Sequence, residues 1–207
     1  MTITNYKEYK NLPFDEYLDL AGTSYSTLKV GSLKPFKETP KMAIGKLCHQ
    51  YLTEPHLYKP DPKEPQVHRA VRAICRAIMK IDGVPRLLSF AEPELSMTCD
   101  MHHNGKVFKY RGRMDLKVGS LAVIDIKISW ANNVDGPMRF FGYDRQVNGY
   151  RIASGVNHGI ILIARVPKSL DQDIDVSLFY VPKDESFWET VVAAKGASVS
   201  TEPLPFS

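Results

Sequence analysis

Between Phe108 and Ser129 the chain alternates so strictly that few arrangements other than a β-hairpin satisfy it. Phe108, Tyr110, Gly112, Met114, Leu116 and Val118 share one parity, and Lys109, Arg111, Arg113, Asp115 and Lys117 share the other. After Gly119-Ser120, the residues Ile124, Ile126 and Ile128 alternate with Asp125 and Lys127. Successive side chains of a strand point to opposite faces, so each run is a strand with one apolar and one charged face. The turn length then decides which residues meet. A two-residue loop pairs Val118 with Leu121 and sends Asp115 and Asp125 to opposite faces. A three-residue loop, Gly119 to Leu121, pairs Val118 with Ala122. It keeps Met114, Leu116, Ile124 and Ile126 on one buried side, and sets Asp115 opposite Asp125 and Arg113 opposite Lys127. Hydrophobic patterning selects this second register, and such loops usually place one residue in the left-handed region. Two carboxylates then stand about 5 Å apart at Cβ, with a lysine two residues along.

The rest of the chain supplies the partners for this hairpin. Glu94–Met101 alternates with Leu95, Met97, Cys99 and Met101 on one side, and strands are expected at Gly159–Val166 and Ile174–Val181. Helices are expected at Tyr25–Val30, capped by Thr23 or Ser24, and at Met42–Thr53, with Leu47, Cys48 and Tyr51 inward and Pro55 as the stop. Three more are expected over Gln66–Ile81, Tyr143–Ser154 and Lys183–Ala194. Residues 1–22 read as an irregular lead-in, Gly31 to Pro40 and Pro60 to Pro65 as loops, and 197–207 as a tail. A single domain is left over residues 23–196. Helices, three strands, a helix, two strands and a helix make an α/β fold with a mixed central sheet flanked by helices.

A hydrophobic share of 43% in 207 residues fills one substantial core. The longest aliphatic run, Ile160 to Ala164, falls far short of the roughly 20 residues of a membrane span, and the first residues lack the order of a signal peptide. A cytoplasmic protein without a membrane partner is expected. Cys48, Cys75 and Cys99 are odd in number and unpaired in spacing, so they read as reduced thiols. They are also one short of the four an ordinary iron–sulfur cluster requires.

The net charge is only +4, but its distribution is uneven. Residues 66–117 carry ten basic side chains against five acids, whereas residues 168–207 carry three lysines against seven acids. Within the first segment Val67, Val71, Ile74 and Ile78 make a helix core stripe. Arg69, Arg72, Arg76 and Lys80 recur at the same steps on another face, with no acid between them. Four unpartnered cations repel along a helix, and a phosphate backbone would relieve that repulsion. A solvated helix surface is the plainer alternative.

Paired carboxylates repel unless a cation lies between them, and a hard divalent ion such as Mg²⁺ prefers oxygen ligands. Lys127 on the same face could orient or deprotonate a water, or neutralise a developing oxyanion, while Arg111 and Arg113 could hold phosphate. Carboxylates, lysine and metal together describe phosphodiester hydrolysis. By residue type alone, a surface ladder of Asp, Lys and Arg pairs fits the same strands, and a lone helical His49 is ordinarily structural.

The ordered set Gly45-Lys46-Leu47-Cys48-His49, Gly112-Arg113-Met114-Asp115, Ile124-Asp125-Ile126-Lys127 and Gln146-Val147-Asn148-Gly149-Tyr150 resembles the PD-(D/E)XK nuclease superfamily in its RecB-like branch. Within that branch it is most similar to the RecE-type exonuclease VIII family of phage recombination. Leu52-Thr53-Glu54-Pro55 and Tyr25-Ser26-Thr27-Leu28-Lys29 add to the likeness, which spans about residues 24–165. Met114 stands where the superfamily name has Pro, and Asp125 where many members have Glu. The resemblance implies a restriction-endonuclease-like core, with His49, Asp115, Asp125 and the Ile126 carbonyl as metal ligands and Lys127 as the catalytic lysine. Gln146 and Tyr150 would support the site or contact DNA, and Glu94 would play a supporting acidic part. It further implies Mg²⁺, with Mn²⁺ as a substitute, and hydrolysis from double-stranded DNA ends in the 5′→3′ direction. A ring-shaped homo-oligomer and a single-strand-annealing partner are implied as well. Arg69, Arg72, Arg76, Lys80, Arg111 and Arg113 would bind the DNA backbone, and the 130–142 stretch is a candidate DNA-facing wedge. A structure-specific or CRISPR-associated RecB-like endonuclease and a non-catalytic DNA-binding module are the alternatives.

Overall fold

In the computed structural model, which describes residues 1–30, 39–130 and 142–198, the elements run in this order. They are β1 (Thr2–Tyr9), α1 (Phe14–Asp19), α2 (Tyr25–Val30), α3 (Pro40–Thr53), α4 (Pro65–Met79), α5 (Val84–Phe90), β2 (Glu92–His103), β3 (Lys106–Val118) and β4 (Ala122–Ser129). Then follow α6 (Tyr143–Ser154), β5 (His158–Arg165), β6 (Asp175–Val181), α7 (Ser186–Lys195) and β7 (Ala197–Ser198). Most of the expected loop from Gly31, nearly all of the candidate wedge at 130–142, and the tail beyond 198 lie outside the described residues.

The hairpin has the register its pattern selects. Val118 pairs with Ala122, Lys117 with Val123 and Leu116 with Ile124. Gly119 supplies the left-handed residue of the loop at φ 49°. The ladder stops there, one pair short of Asp115 and Asp125. The Asp115 carboxylate instead accepts the Ile126 backbone N–H at 2.6 Å, so a side chain takes the place of a strand partner. The expected facing of Asp115 with Asp125 and of Arg113 with Lys127 is therefore not a ladder pairing.

The sheet order is β1-β2-β3-β4-β5-β6, with β7 added beside β3. Strands β1 to β4 are antiparallel neighbours. β4 and β5 are parallel, as the intervening helix requires, and β6 turns back antiparallel. The lead-in reading of residues 1–22 is corrected: Thr2–Tyr9 is an edge strand on β2, and Phe14–Asp19 is a short helix. Two of the residues assigned to the tail, Ala197 and Ser198, also pair with β3. Helix α5 is a further element that the sequence reading does not contain.

Each sheet face is covered by its own core. On one side Val123, Ile161 and Ile163 pack with Tyr110, Met114, Val147, Tyr150 and Trp188 under α6 and α7. On the other, Ile124, Ile126 and Leu162 pack with Leu116, Cys48, Val71, Ile74 and Ile78 under α3 and α4. The alternation of β4 thus serves both cores. The expectation of one buried side for Met114, Leu116, Ile124 and Ile126 is corrected, since Met114 belongs to the first core and the other three to the second. The change of core falls at the missing Glu94–Asp115 rung, the one gap in the β2–β3 ladder between Glu92 and His103.

Helix ends follow local chemistry. Ser24 Oγ accepts the Thr27 N–H ahead of α2, and Thr39 caps α3 with Pro40 at its first turn. Cys48, Cys75 and Cys99 are buried and free of disulfides, and Cys75 Sγ donates to the Cys48 carbonyl at 3.7 Å. His102 and His103, at the end of β2 beside its turn, are half-buried. His102 Nε2 is 2.8 Å from Thr4 Oγ1, and His103 faces Glu189. No helix among the described residues is long and apolar enough to cross a membrane.

Candidate active site

Three elements meet where the β3–β4 ladder opens. Helix α3 carries His49, the start of β2 carries Glu94, and β3 carries Asp115. One ligand atom from each lies within 4.8 Å of the others. An ion bonded at about 2.1–2.6 Å spans donors up to roughly 4.2–5.2 Å apart, so these three fit one divalent cation. One imidazole and two carboxylates are a donor set for such an ion, and the His49 Nδ1 to Asp115 Oδ2 distance is 3.5 Å.

Strand β4 brings the next layer. Asp125 is only 1% exposed, and its Oδ2 lies 2.5 Å from Lys127 Nζ. Its Oδ1 has no hydrogen-bond partner among the described residues. The Ile126 backbone borders the site: its N–H holds Asp115 at 2.6 Å, and its interaction with the His49 ring favours the protonated imidazole against burial. The Lys127 ammonium sits 5.2 Å from the centre of the Tyr143 ring at the start of α6.

The electrostatics follow from crowding three acids and one lysine in a dry place. Burial raises Asp125 to about 6, with the nearby Asp115 charge adding to burial and Lys127 opposing it. Burial also raises Asp115, against Lys127 and the Ile126 N–H, and burial with the Asp115 charge raises Glu94, against Arg113. For Lys127 burial disfavours the charge, but Asp125 and Asp115 outweigh it and hold the ammonium above the ordinary lysine value. Burial and Lys127 lower His49, which keeps its imidazole neutral, the form a metal ligand needs. A cation among these carboxylates would relieve all three raised acids.

Of the expected ligands, His49 and Asp115 stand in the cluster. Asp125 stands one step away, engaged by Lys127. The Ile126 backbone touches both His49 and Asp115. Glu94 enters as a third donor, which the sequence reading assigned only a supporting part. Its backbone is in the left-handed region at φ 46°, an uncommon conformation for a side-chain-bearing residue, and it lies opposite Asp115 where the β2–β3 ladder skips a pair. Alternation could not reveal this, because a strand residue at positive φ no longer follows its neighbours' parity.

Gln146 and Tyr150 share a face of α6, with Gln146 Nε2 donating to Tyr150 Oη at 2.6 Å. Tyr150 is buried and lies across Gly112, where a Cβ would come within 2.7 Å of its ring. That contact joins the Gly112-to-Asp115 motif to the Gln146-to-Tyr150 motif within the core. The burial of Tyr150 leaves little of it for DNA.

The basic residues divide into two groups. Arg69, Arg72, Arg76 and Lys80 are exposed along α4, opposite its buried Val71, Ile74, Cys75 and Ile78, and form no ion pair among the described residues. Arg111 and Arg113 are occupied by the protein. Arg111 donates to the carbonyls of Tyr17, Leu18 and Leu20. Arg113 donates to Glu94, the Leu12 carbonyl and Ser96. Both guanidiniums fasten residues 12–20 to the sheet rather than standing open to phosphate.

No protein-family model and no curated relative matches the sequence. Among solved structures, a candidate exonuclease from Eubacterium rectale superposes with a TM-score of 0.53 at 16% identity, covering 83% of this chain and 70% of the other. A phage-related exonuclease from Haemophilus somnus 129PT gives a TM-score of 0.38 at 18% identity, covering 81% of each chain. The first likeness establishes a shared fold: a mixed α/β architecture with a central sheet between two helical layers.

Proposed function

We propose that this protein is a divalent-metal-dependent DNA exonuclease that hydrolyses phosphodiester bonds from double-stranded ends in the 5′→3′ direction. The proposal places it in the RecB-like PD-(D/E)XK branch, beside the RecE-type enzymes whose motifs it resembles. The observation that carries the reading is the convergence of His49, Glu94 and Asp115 within 4.8 Å, beside the Asp125–Lys127 pair. Clustered acids are costly on a surface that only binds a polyanion, so their presence favours catalysis over a binding module. The fold shared with the Eubacterium rectale candidate exonuclease supports the same class.

His49, Glu94 and Asp115 would hold Mg²⁺, or Mn²⁺ in its place, with Asp125 alongside. Held there, such a cation would supply Lewis-acid polarisation of a phosphoryl oxygen and activation of a water at neutral pH. Lys127, held protonated, neutralises charge as it develops on the phosphate; an ammonium above the ordinary lysine value is a poor base at pH 7. Asp125 fixes the direction of that ammonium through their 2.5 Å contact. The α4 cations bind backbone phosphates without reading bases. By the same resemblance, a ring-shaped homo-oligomer and a single-strand-annealing partner in phage-type recombination belong to the proposal.

Incubation with linear and supercoiled duplex of one sequence in Mg²⁺ tests it. Loss of the linear form alone, with nucleotides released first from the 5′-labelled terminus, is the expected result. Cutting of supercoiled circles at a similar rate would favour the endonuclease reading. Tight binding without cleavage in either metal would favour the binding module.

A further inference from the structure

Glu94 is held in its place by an uncommon set of contacts. Its backbone sits at φ 46°, and a non-glycine residue in that region costs on the order of 1 kcal/mol. Strain of this kind persists only where surrounding contacts overdetermine it. Those contacts come from Arg113, whose Nε donates to Glu94 Oε2 at 2.9 Å, with both side chains mostly buried. The rest of that guanidinium is fixed as well. Nη1 donates to the Leu12 carbonyl at 2.7 Å and to Ser96 Oγ at 3.2 Å, and the group stands 5.9 Å from the centre of the Phe14 ring. Ser96 is itself fully buried and is the β2 partner of Arg113. The guanidinium is thus locked by its own strand neighbour and by the N-terminal segment before it reaches the carboxylate.

From this we infer that Arg113 is a positioning residue for the metal centre: by gripping one oxygen of Glu94 it holds in place the carboxylate that stands with His49 and Asp115. The inference rests on the metal-site reading given above. Arg113 touches neither substrate nor reacting atoms. Its part is to set the rotamer of a ligand from the shell behind it, the kind of contact whose loss typically weakens metal binding 10- to 100-fold. The geometry also gives residues 12–14 a share in the site, since the Leu12 carbonyl orients the arginine. Lysine is a poor substitute, because one ammonium cannot meet Glu94, Ser96 and the Leu12 carbonyl in the planar arrangement a guanidinium offers.

The test is Mn²⁺ affinity, read by electron paramagnetic resonance of free Mn²⁺ on the full chain, for wild type, Arg113→Gln, Glu94→Gln and the double variant. Asp115→Asn serves as the control for the site itself. Arg113→Gln is expected to weaken Mn²⁺ binding about 10- to 100-fold. The double variant should bind no more weakly than Glu94→Gln alone, because an arginine with no carboxylate to orient has nothing left to contribute. Arg113→Lys should recover only part of the loss. Wild-type affinity in Arg113→Gln, or losses that multiply in the double variant, would overturn the positioning role and leave Arg113 as a brace for residues 12–20. If Asp115→Asn also keeps wild-type affinity, the metal site is what fails, and the inference falls with it. Circular-dichroism melts of each variant separate these outcomes from unfolding, and should Arg113→Gln not fold, Arg113→Lys carries the comparison.

Discussion

Gly112→Ala measures how tightly the two motif-bearing elements are joined. An added Cβ would lie 2.7 Å from Tyr150 Cε1 and 2.9 Å from both Tyr150 Cδ1 and Met97 Cε. Met97 can swing its terminal methyl aside, but Tyr150 is a ring buried between β3 and α6. It would have to retreat by about 0.7 Å to restore an ordinary contact of roughly 3.4 Å. The retreat drags its hydroxyl away from Gln146, now at 2.6 Å. Overpacking of this size costs about 1–3 kcal/mol. Alanine returns about 0.4–1 kcal/mol by stiffening the unfolded chain, as it does where the native backbone suits it. The φ of Gly112 is not among the left-handed ones, so no strain is added. The balance is a loss of about 1–2 kcal/mol, read as a lower midpoint in urea unfolding at unchanged slope. In a Tyr150→Leu background the same substitution should cost close to nothing. A Gly112→Ala protein within about 0.5 kcal/mol of wild type, or an equal loss in both backgrounds, would refute the contact as the reason for glycine at this position.

Other expectations follow from the charges. Asp125→Asn and Lys127→Ala should each lower the cleavage rate at least about 100-fold while leaving the circular-dichroism spectrum intact; near wild-type turnover by either would remove that residue from the chemistry. Because Asp125 is raised from 3.8 to about 6, its protonated form is the one the fold prefers. Its contribution to stability is full below pH 4 and lost as pH rises through about 6, so the wild-type melting temperature without metal should fall over that window relative to Asp125→Asn. Parallel profiles for the two proteins would contradict this. Saturating Mn²⁺ at pH 7.5 should reverse the loss, by about 2.7 kcal/mol at one hundred times Kd, and an unshifted melt would speak against a metal site. Replacing Arg72 and Arg76 by Ala should reduce the slope of log affinity for duplex against log salt by about 2. An unchanged slope would take α4 out of the DNA interface.

The strands, turn and register of the hairpin were legible because its period of two and its turn length agree on one pairing, although Met114 faces a different core from Leu116, Ile124 and Ile126 and the ladder stops short of Asp115 and Asp125. Helix α4 was equally legible, since an apolar stripe and four cations on separate faces admit no other period. Strand β1 was not. A register shift between Thr4 and Lys7, with Asn5 at φ 52°, breaks its alternation, and an edge strand exposes residues that would otherwise mark a buried face. Helix α5 is seven residues long and begins with Pro at its first turn, too short for a periodic signal. At the site, His49, Asp115, Asp125 and Lys127 are residues whose spacing points to one place, and the fold does bring them to adjoining positions. The finer arrangement lay beyond the pattern. Nothing in the order of residues shows that the ladder ends at Leu116–Ile124, that Glu94 turns inward through a left-handed backbone, or that residues 12–20 return to occupy Arg111 and Arg113. The first two rest on side-chain contacts, Asp115 with the Ile126 N–H and Arg113 with Glu94, and the last on contacts more than ninety residues apart in the chain.

The most direct measurement is release of labelled nucleotide from a linear duplex by wild type, with Mg²⁺ and after chelation, compared with Asp115→Asn and Glu94→Gln. Release that requires the cation and is lost in both variants, whose melting curves remain cooperative, is the predicted result. Release that survives chelation, or proceeds unchanged when Asp115 and Glu94 are neutralised, would contradict it.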